Sequence, residues 1–539
     1  MEYNIADLFE AIVDVVPDNE ALASGDVHYS FAELDRRANR LAHYLQSKGI
    51  GAGDHVGLHL YNGHEFVEAM LALLKLRAVG ININYRFVGP EVRYMIEDAD
   101  LVGVITQRRF IPIVNEANRG LKPLKALVVI DDGSDATSEQ ESIEYETAMA
   151  QGSEERRFGP RSGDDLYIIY TGGTTGMPKG VMWRHEDLFF AGLQGGSPGG
   201  DPVESPEQLL EQVKEGWYTV NMLPCAPFIH GAAQFTSWIC FFTGGKLTLQ
   251  PGPSFDAKRI LSLVAEEGVS TLSIVGDAMA IPLIDELKAG DYDMTNLAVI
   301  ATAGAIISKS VQEELETLLP DVMLVNSFGT SESGDLGRAA SDEDSHEGRP
   351  SFYMGEDVTV LDDDGNPIEP GSGQIGRVAR SGRLPLGYYK DPEKTADRFK
   401  EFNGKRWVLP GDFATIEEDG RITFLGRGSK CINSGGEKIF PEEVEEALKA
   451  HPDIVDALVV GIPNPRFGST VAAVFNTRGG KELSLDEVQA HCRQHIAGYK
   501  IPRQISITET VERLPSGKPD YPWAEAVARK AAGPEQVES

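Results

Sequence analysis

From residue 55 onward the hydrophobic period of the chain switches repeatedly between strand-like alternation and helix-like spacing, and few architectures accommodate that pattern. Residues 55–60 read as a strand, 65–79 as an amphipathic helix and 81–84 as the next strand, which makes a βαβ unit. The same order returns with a helix over 258–267 before a strand at 271–275, and a helix over 311–319 before a strand at 322–326. Neighbouring parallel strands need a crossover connection, so this alternation predicts an α/β fold of mostly parallel sheets flanked by helices. Between 358 and 424 the text changes to short strands separated by turn signals at Asp364-Gly365 and Asp419-Gly420, predicting a small β-rich subdomain over about 350–425. Residues 426–436 are dense in glycine and serine. Beyond them, helices at 441–450 and 485–495 and strands at 457–461, 471–476 and 504–508 read as an α+β module behind a flexible joint. The expected organisation is a large N-terminal domain over 1–428 and a mobile C-terminal domain over 429–539, hinged near Lys430, with a fraying tail from 532. A chain of 539 residues exceeds what one hydrophobic core supports and fits roughly three or four domain-sized units.

Charge narrows the class of partner. Asp and Glu number 83 against 50 Lys and Arg, a net charge of −33, and so acidic a surface repels nucleic-acid backbones while leaving room for a local anion pocket. With 41% hydrophobic and 25% charged residues the chain reads as globular. Four scattered cysteines (Cys225, Cys240, Cys431, Cys492) make neither a disulfide framework nor a paired metal motif, as expected of a reducing cytoplasm. The opening MEYNIADLFE lacks the basic and apolar regions of a signal peptide, and the closing VES is not a peroxisomal address. The most apolar runs, 71–76 and 238–242, are far shorter than the ~20 residues that span a bilayer. Peripheral contact with a membrane and self-association are both compatible with this sequence.

The densest chemical signal is YTGGTTGMPKG at 170–180, directly after the apolar run 166–169. Glycines let successive backbone N–H groups converge on phosphate oxygens, threonine hydroxyls add donors, and Lys179 adds a point charge. A Walker A loop requires Gly-Lys followed by Ser or Thr, and here Met177-Pro178 intervene before Lys179, so a P-loop is excluded. The string resembles the phosphate-binding signature of the adenylate-forming superfamily, which contains acyl-CoA synthetases, luciferases and nonribosomal-peptide adenylation domains. By that resemblance Thr171, Gly172, Gly173, Thr174, Thr175, Gly176 and Lys179 hold the phosphates of ATP.

Further strings of the same kind follow in the superfamily's order over nearly the whole chain. NSFGTSESG at 326–334 resembles the aromatic-Gly-x-Thr-Glu motif, with Phe in place of Tyr and Ser in place of Thr. The resemblance implies that Phe328, between Ser327 and Gly329, stacks on adenine, that Ser331 holds a phosphate and that Glu332 binds Mg²⁺. TAGA at 302–305 falls where the superfamily places a Gly-Ala turn against adenine and acyl group, which assigns Ala303, Gly304 and Ala305 to the nucleotide. Asp412, after Gly411, and Arg427 are implied ribose contacts. Lys430 stands at the hinge position, and Gly435, Gly436 and Glu437 match the loop that faces coenzyme A in the thioester step. LPSGK at 514–518 resembles the catalytic-lysine motif, which makes Lys518 the residue that bridges carboxylate and α-phosphate. PFIHGAAQ at 227–234 resembles the segment whose histidine or aromatic sits beside the acyl carboxylate, which implies His230 and Gln234 as candidates for the pocket wall, with Trp238 deeper.

Three patterns carry less. GSGQIG at 371–376 satisfies GxGxxG but follows a turn-rich stretch and reads as a β-turn. His491, Cys492 and His495 have metal-like spacing without a carboxylate or further cysteine beside them. Asp362-Asp363-Asp364-Gly365 lacks the later glutamate of a calcium loop and reads as a solvated turn. The resemblance thus implies an ATP- and Mg²⁺-dependent carboxylate–CoA ligase, and the wording of KGVMWRHEDL, VGDAMA, INSGGEK and IAGYKIPR is most similar to actinobacterial ligases of fatty acids or steroid side-chain carboxylates. A luciferase-like or carrier-loading enzyme and a non-catalytic nucleotide-binding regulator stay open at this point.

Overall fold

Two parallel strand systems organise the first 330 residues of the computed structural model, which describes residues 1–532 except 174–175, 306, 341–344, 347–348, 435–436, 465–467, 497 and 515–516. In the first, strands Val79–Asn82, His55–His59, Leu101–Gln107, Ala126–Ile130 and Ile143–Glu144 lie side by side and all parallel. Every residue of His55–His59 is buried, as a strand covered on both faces requires. In the second, Glu20–Ser24, Leu247–Leu249, Met222–Pro224, Thr271–Ile274, Val299–Ala303 and Met323–Thr330 run parallel in that order. The fold is α/β.

The β-rich stretch is not a sheet of its own. After Met323–Thr330 the second sheet continues through Gly334–Ala340, Arg349–Met354, Ile422–Arg427, Asp412–Ile416 and Gly376–Arg380, now antiparallel. The change of direction follows from the connection at 331–333, too short for a crossover helix. Gly334 makes the reversal at φ +68, where a Cβ would lie 2.4 Å from the Ala191 carbonyl oxygen. Turn-rich sequence announced short strands correctly but carried no information about which sheet they extend.

Several element edges moved, two of them for a visible local reason, and the strand expected over 322–326 runs on as Met323–Thr330. The helix expected over 65–79 is His64–Lys75, because Arg77 adopts φ 59 and breaks the spiral, and the following strand accordingly starts at Val79. The helix expected over 485–495 ends at Cys492, with His495 N–H turning back to the Cys492 carbonyl. The first 54 residues, unread in the sequence, supply helix Ile5–Val15, a hairpin of Glu20–Ser24 with Val27–Ser30, and helix Phe31–Ser47. Asn4 caps the first helix by accepting from the Ala6 and Asp7 amides.

In the C-terminal part, Ile454–Asn464 and Gly468–Thr477 form a long antiparallel pair whose centres are the two strands expected there. Ile432–Ser434, Glu437–Ile439 and Gln504–Ile507 complete the sheet, packed by helices Pro441–Lys449, Leu485–Cys492 and Tyr521–Ala532. Lys430 ends the short turn Gly428–Lys430 that leaves Ile422–Arg427, and its ammonium lies 5.3 Å from the centre of the Tyr521 ring. Among the described residues no helix is long and apolar enough to cross a membrane.

Candidate active site

The phosphate-loop sequence folds as the tip of a β-hairpin. Leu166–Gly173 pairs antiparallel with Gly176–Arg184, setting Tyr170 opposite Gly180 and Thr171 opposite Lys179. Gly180 is obligatory here, since a Cβ would stand 2.6 Å from the Tyr170 ring. Thr174 and Thr175, at the tip, lie outside the described residues. The hairpin is tied down from below by Asn82, whose side-chain amide donates to the Tyr170 carbonyl (2.8 Å) and the Ile229 carbonyl (2.7 Å) and accepts from the Tyr170 N–H (2.9 Å). Buried Asn82 thus joins the loop strand to the 227–234 segment. Lys179 pairs with Asp391 at 3.1 Å, and that hydrogen bond holds its ammonium pKa above the ordinary lysine range.

Above this hairpin opens a cavity of about 500 Å³. Its rim and upper wall include Thr171, Met177, Pro178, His230, Ala303, Gly304, Ser327, Phe328, Gly329, Ser331 and Lys518. These residues come from elements that begin as far apart as 166 and end beyond 514, and they meet at the carboxyl ends of the parallel strands. Open α/β sheets bind ligands at that edge.

Each wall has a local cause. Phe328 is backed by Phe352 and Phe424, with ring centres 5.3 and 5.2 Å away, so its ring forms a braced shelf for a flat ligand. The 302–305 turn is fixed by Thr302, whose hydroxyl accepts from Gly276 N–H and donates to the Ala305 carbonyl, both at 2.9 Å. Gly304 sits at φ +83, and a Cβ there would lie 3.4 Å from Lys518 Cε. Lys518 arrives on a small hairpin in which Leu514 N–H donates to the Lys518 carbonyl and Gly517 N–H to the Leu514 carbonyl, each at 2.8 Å. Gly517 packs 3.2 Å from Val275 Cγ1 by the same Cβ measure, and Val275 itself lines the cavity.

His230 caps helix Gly231–Phe242 at the cavity wall, and its Nε2 is buried with no hydrogen-bond partner among the described residues. Burial first, and then the positive charges of Lys518 and Arg86, push its pKa down to about 4, so the imidazole is neutral and available to a ligand. Ser331 is held through its carbonyl by the Trp183 indole N–H (2.9 Å). Glu332 follows it, and one carboxylate oxygen accepts from the Tyr388 hydroxyl at 3.0 Å. Burial and then the Glu332 charge raise the Tyr388 pKa, which keeps the phenol protonated as donor. Glu332, like Lys179, is not among the lining residues, but its half-buried, oriented carboxylate is an oxygen donor of the kind a hard divalent cation such as Mg²⁺ takes.

Other expected residues stand elsewhere. Gln234 does not line this cavity: its amide accepts from the Tyr167 hydroxyl (2.6 Å) and donates to the Phe228 carbonyl (2.6 Å), and Trp238 donates to the same Tyr167 hydroxyl. The pair braces the wall from behind. Asp412 is buried opposite Arg427 in the strand pair behind Phe328 and is not part of the lining. The side chains of Arg427 and Glu437, and residues Gly435 and Gly436, lie outside what is described. Residues 371–376 form a turn before strand Gly376–Arg380, and Asp362 folds its own turn by accepting from Asp364 and Asn366 N–H. The grouped candidate metal ligands among the described residues are Glu20, His28 and Glu267, not His491, Cys492 and His495, and Lys246 already pairs with both of those glutamates. Sequence reasoning missed Asn82, Trp183, Tyr388 and Asp391. Only Asn82, an amide in the alternating run Ile81-Asn82-Ile83-Asn84 after a buried helix, offered a signal.

Comparison with known proteins places this geometry. Residues 9–389 match the AMP-binding enzyme family and 443–518 the AMP-binding enzyme C-terminal domain. A 3-oxocholest-4-en-26-oate–CoA ligase of Rhodococcus rhodochrous is 46% identical over 97% of this chain and 96% of its own length. A medium/long-chain-fatty-acid–CoA/3-oxocholest-4-en-26-oate–CoA ligase of Mycolicibacterium smegmatis is 45% identical over 98% and 97%. Among solved structures, the anthranilate CoA ligase AuaEII in complex with anthranoyl-AMP superimposes with a TM-score of 0.83 at 22% identity, covering 99% of this chain and 98% of that one, a likeness of fold. The chain belongs to the AMP-binding enzyme family.

Proposed function

We propose that this protein is an ATP-dependent acyl-CoA synthetase for steroid side-chain carboxylates and medium- to long-chain fatty acids. The observation that carries the reading is convergence: the 170–180 hairpin, His230, the Phe328 shelf and Lys518 border one cavity.

A carboxylate does not react directly with a thiol, because oxide is a very poor leaving group. In the first half-reaction a carboxylate oxygen attacks the α-phosphorus of ATP, the bond to the β-phosphate oxygen breaks, and pyrophosphate leaves. Negative charge leaves the carboxylate and develops on the α-phosphate oxygens and the departing pyrophosphate. Lys518 contributes a cation there, and the Thr/Gly hairpin with Lys179 cradles the departing phosphates. His230, kept neutral, orients the carboxylate through Nε2. Glu332 would hold Mg²⁺, which when bound would neutralise charge on the phosphates. In the second half-reaction the CoA sulfur attacks the acyl carbonyl, the mixed-anhydride bond breaks, and AMP leaves. A hinge at Lys430 lets the C-terminal part withdraw Lys518 and present the 435–437 face to the pantetheine arm.

The substrate class rests on two supports. One is the pair of ligases 46% and 45% identical to this chain, named for such acids. The other is the lower cavity, where Val275, Ser273 and Thr271 on one strand and Ala303 and Ala301 on the next face Phe235, Thr236 and Ile239. Along the strand from 275 to 271 this wall runs about 13 Å at ~3.3 Å per residue. A mostly apolar slot with a few hydroxyls suits a long acyl chain or a ring system better than a small polar acid. A cytoplasmic location, with peripheral contact to membranes that hold such acids, belongs to the same proposal.

The test is pyrophosphate release with a panel of C2–C24 and steroid acids, with and without CoA. A CoA thioester from long or steroid acids is expected. Release with light emission would mean a luciferase-type enzyme, release that needs a carrier protein in place of CoA a carrier-loading enzyme, and no release from any acid a nucleotide-binding regulator.

A further inference from the structure

Part of the surface on which the C-terminal part meets the N-terminal part is polar, beside apolar contacts such as Phe413 with Phe440. Asp277 opens helix Asp277–Ala289, two residues after the cavity residue Val275. Its Oδ1 accepts from Ser308 N–H at 2.7 Å, and its Oδ2 takes the ammonium of Lys449, the last residue of helix Pro441–Lys449, at 2.9 Å. Both side chains are withdrawn from water, Asp277 to 2% exposure and Lys449 to 12%. One turn earlier on the same helix, Glu446 Oε1 accepts from Lys309 N–H at 3.0 Å.

The contact reaches the Lys518 hairpin through a second buried pair. Helix Pro441–Lys449 leads into strand Ile454–Asn464, whose Asp456 holds Arg513 in two hydrogen bonds of 2.8 and 2.6 Å. Arg513 pairs with Pro519 across the base of the 514–518 hairpin. From Asp277 to Lys518 the chain of contacts is thus Lys449, its helix, Asp456, Arg513 and the hairpin. We propose that Asp277 and Lys449 form a docking latch that positions Lys518 at the cavity for the adenylation step, and releases it when the C-terminal part turns for the thioester step. The inference rests on the two-step reading above.

An ion pair suits a reversible seat. Desolvation offsets most of the attraction between two buried charges, so a well-formed pair fixes geometry while adding little net free energy. When the C-terminal part turns, both charges regain water, which an apolar patch could not do without cost. The geometry agrees with a formed pair: although burial works against its charge, Lys449 and the Ser308 amide hold the Asp277 carboxyl below its ordinary range.

The test separates the half-reactions in the full-length protein, using the acid that the wild type adenylates best. Adenylation is read as acid-dependent ATP–pyrophosphate exchange, and the second step as thioester formation from the supplied acyl-adenylate and CoA. K449M leaves Asp277 buried beside an apolar chain and should lower exchange by about tenfold or more while thioester formation stays within about twofold. The double variant D277N/K449M removes both charges, so it keeps the fold and should lose exchange selectively in the same way. K449R restores the pair and should recover exchange to within about threefold of wild type. Exchange unchanged in both variants, or both half-reactions of the double variant falling by one common factor, overturns the latch. Absence of exchange in the wild type with every acid instead overturns the proposed function.

Discussion

Replacing Ala301 with phenylalanine should convert this protein into a short-chain enzyme. Ala301 faces the cavity from the middle of strand Val299–Ala303, with Ala303 above it beside Gly304 and Lys518. Alternation along the strand sends Ala301 and Ala303 to the same face, and its neighbour strand sets Ser273 opposite Ala301, with Val275 just past its end also in the lining. A ring at 301 blocks the slot two residues below the reacting end, about 7 Å down, and closes off the ~6–7 Å beneath it. That segment holds roughly five methylenes of an extended chain, and burying them is worth ~0.8 kcal/mol each, ~4 kcal/mol in all. At ~1.4 kcal/mol per decade the loss in kcat/KM for a long acid approaches 10³-fold, and incomplete burial in the wild type brings the expectation to about 10²–10³. Acids of four to six carbons should keep wild-type kcat/KM, because the upper slot and the nucleotide shelf are untouched. The assay is pyrophosphate release across the acid series, with the melting temperature as a check on folding. An equal loss at every chain length in a folded variant, or no loss for long acids, would refute the assignment of this slot to the acyl chain.

Two further outcomes follow from other residues. His59 is buried with both ring nitrogens lacking partners among the described residues, stacked 4.4 Å from the Phe110 ring, and burial pushes its pKa down to about 3. The unfolded chain protonates this histidine below about pH 6.5 and the native protein does not until about 3, so its stabilising contribution is present above 6.5 and falls as the pH drops. His59→Phe should therefore flatten the pH dependence of stability between pH 4 and 6 by about 1.4 kcal/mol per unit in urea titrations; an unchanged slope contradicts a neutral His59. Lys430→Pro removes the cation over the Tyr521 ring and would stiffen the proposed hinge. Adenylate should form and accumulate while CoA transfer falls by about tenfold or more in single-turnover assays, and undiminished transfer would end the hinge reading.

Local patterning made the α/β alternation and the motif strings legible, because period and turn chemistry are written residue by residue. The 170–180 string announced anion chemistry through its glycines and threonines, yet its closure into a hairpin was invisible, since Gly176-Met177-Pro178-Lys179 has little strand propensity and is held by pairing of Gly176 with Gly173 and of Lys179 with Thr171. The antiparallel continuation of the second sheet depends on Gly334 meeting the Ala191 carbonyl, a contact between segments 143 residues apart (334 − 191). Gln234 illustrates a limit of reasoning by motif: it stands in the right string but faces Tyr167 and Phe228, because the helix turns Ala232, Phe235, Thr236 and Ile239 to the cavity and Gln234 with Trp238 to another face. Asn82 and Tyr388 act through side-chain hydrogen bonds to distant segments, which no local period records.

Catalysis by Lys518 is what the whole account stands on, and single-turnover kinetics of Lys518→Ala measure it most directly. Its adenylation rate should fall by about 10²–10³-fold while thioester formation from a supplied acyl-adenylate keeps the wild-type rate. Equal losses in the two half-reactions, or undiminished adenylation, would show that the amine at the edge of Gly304 does not serve the phosphate.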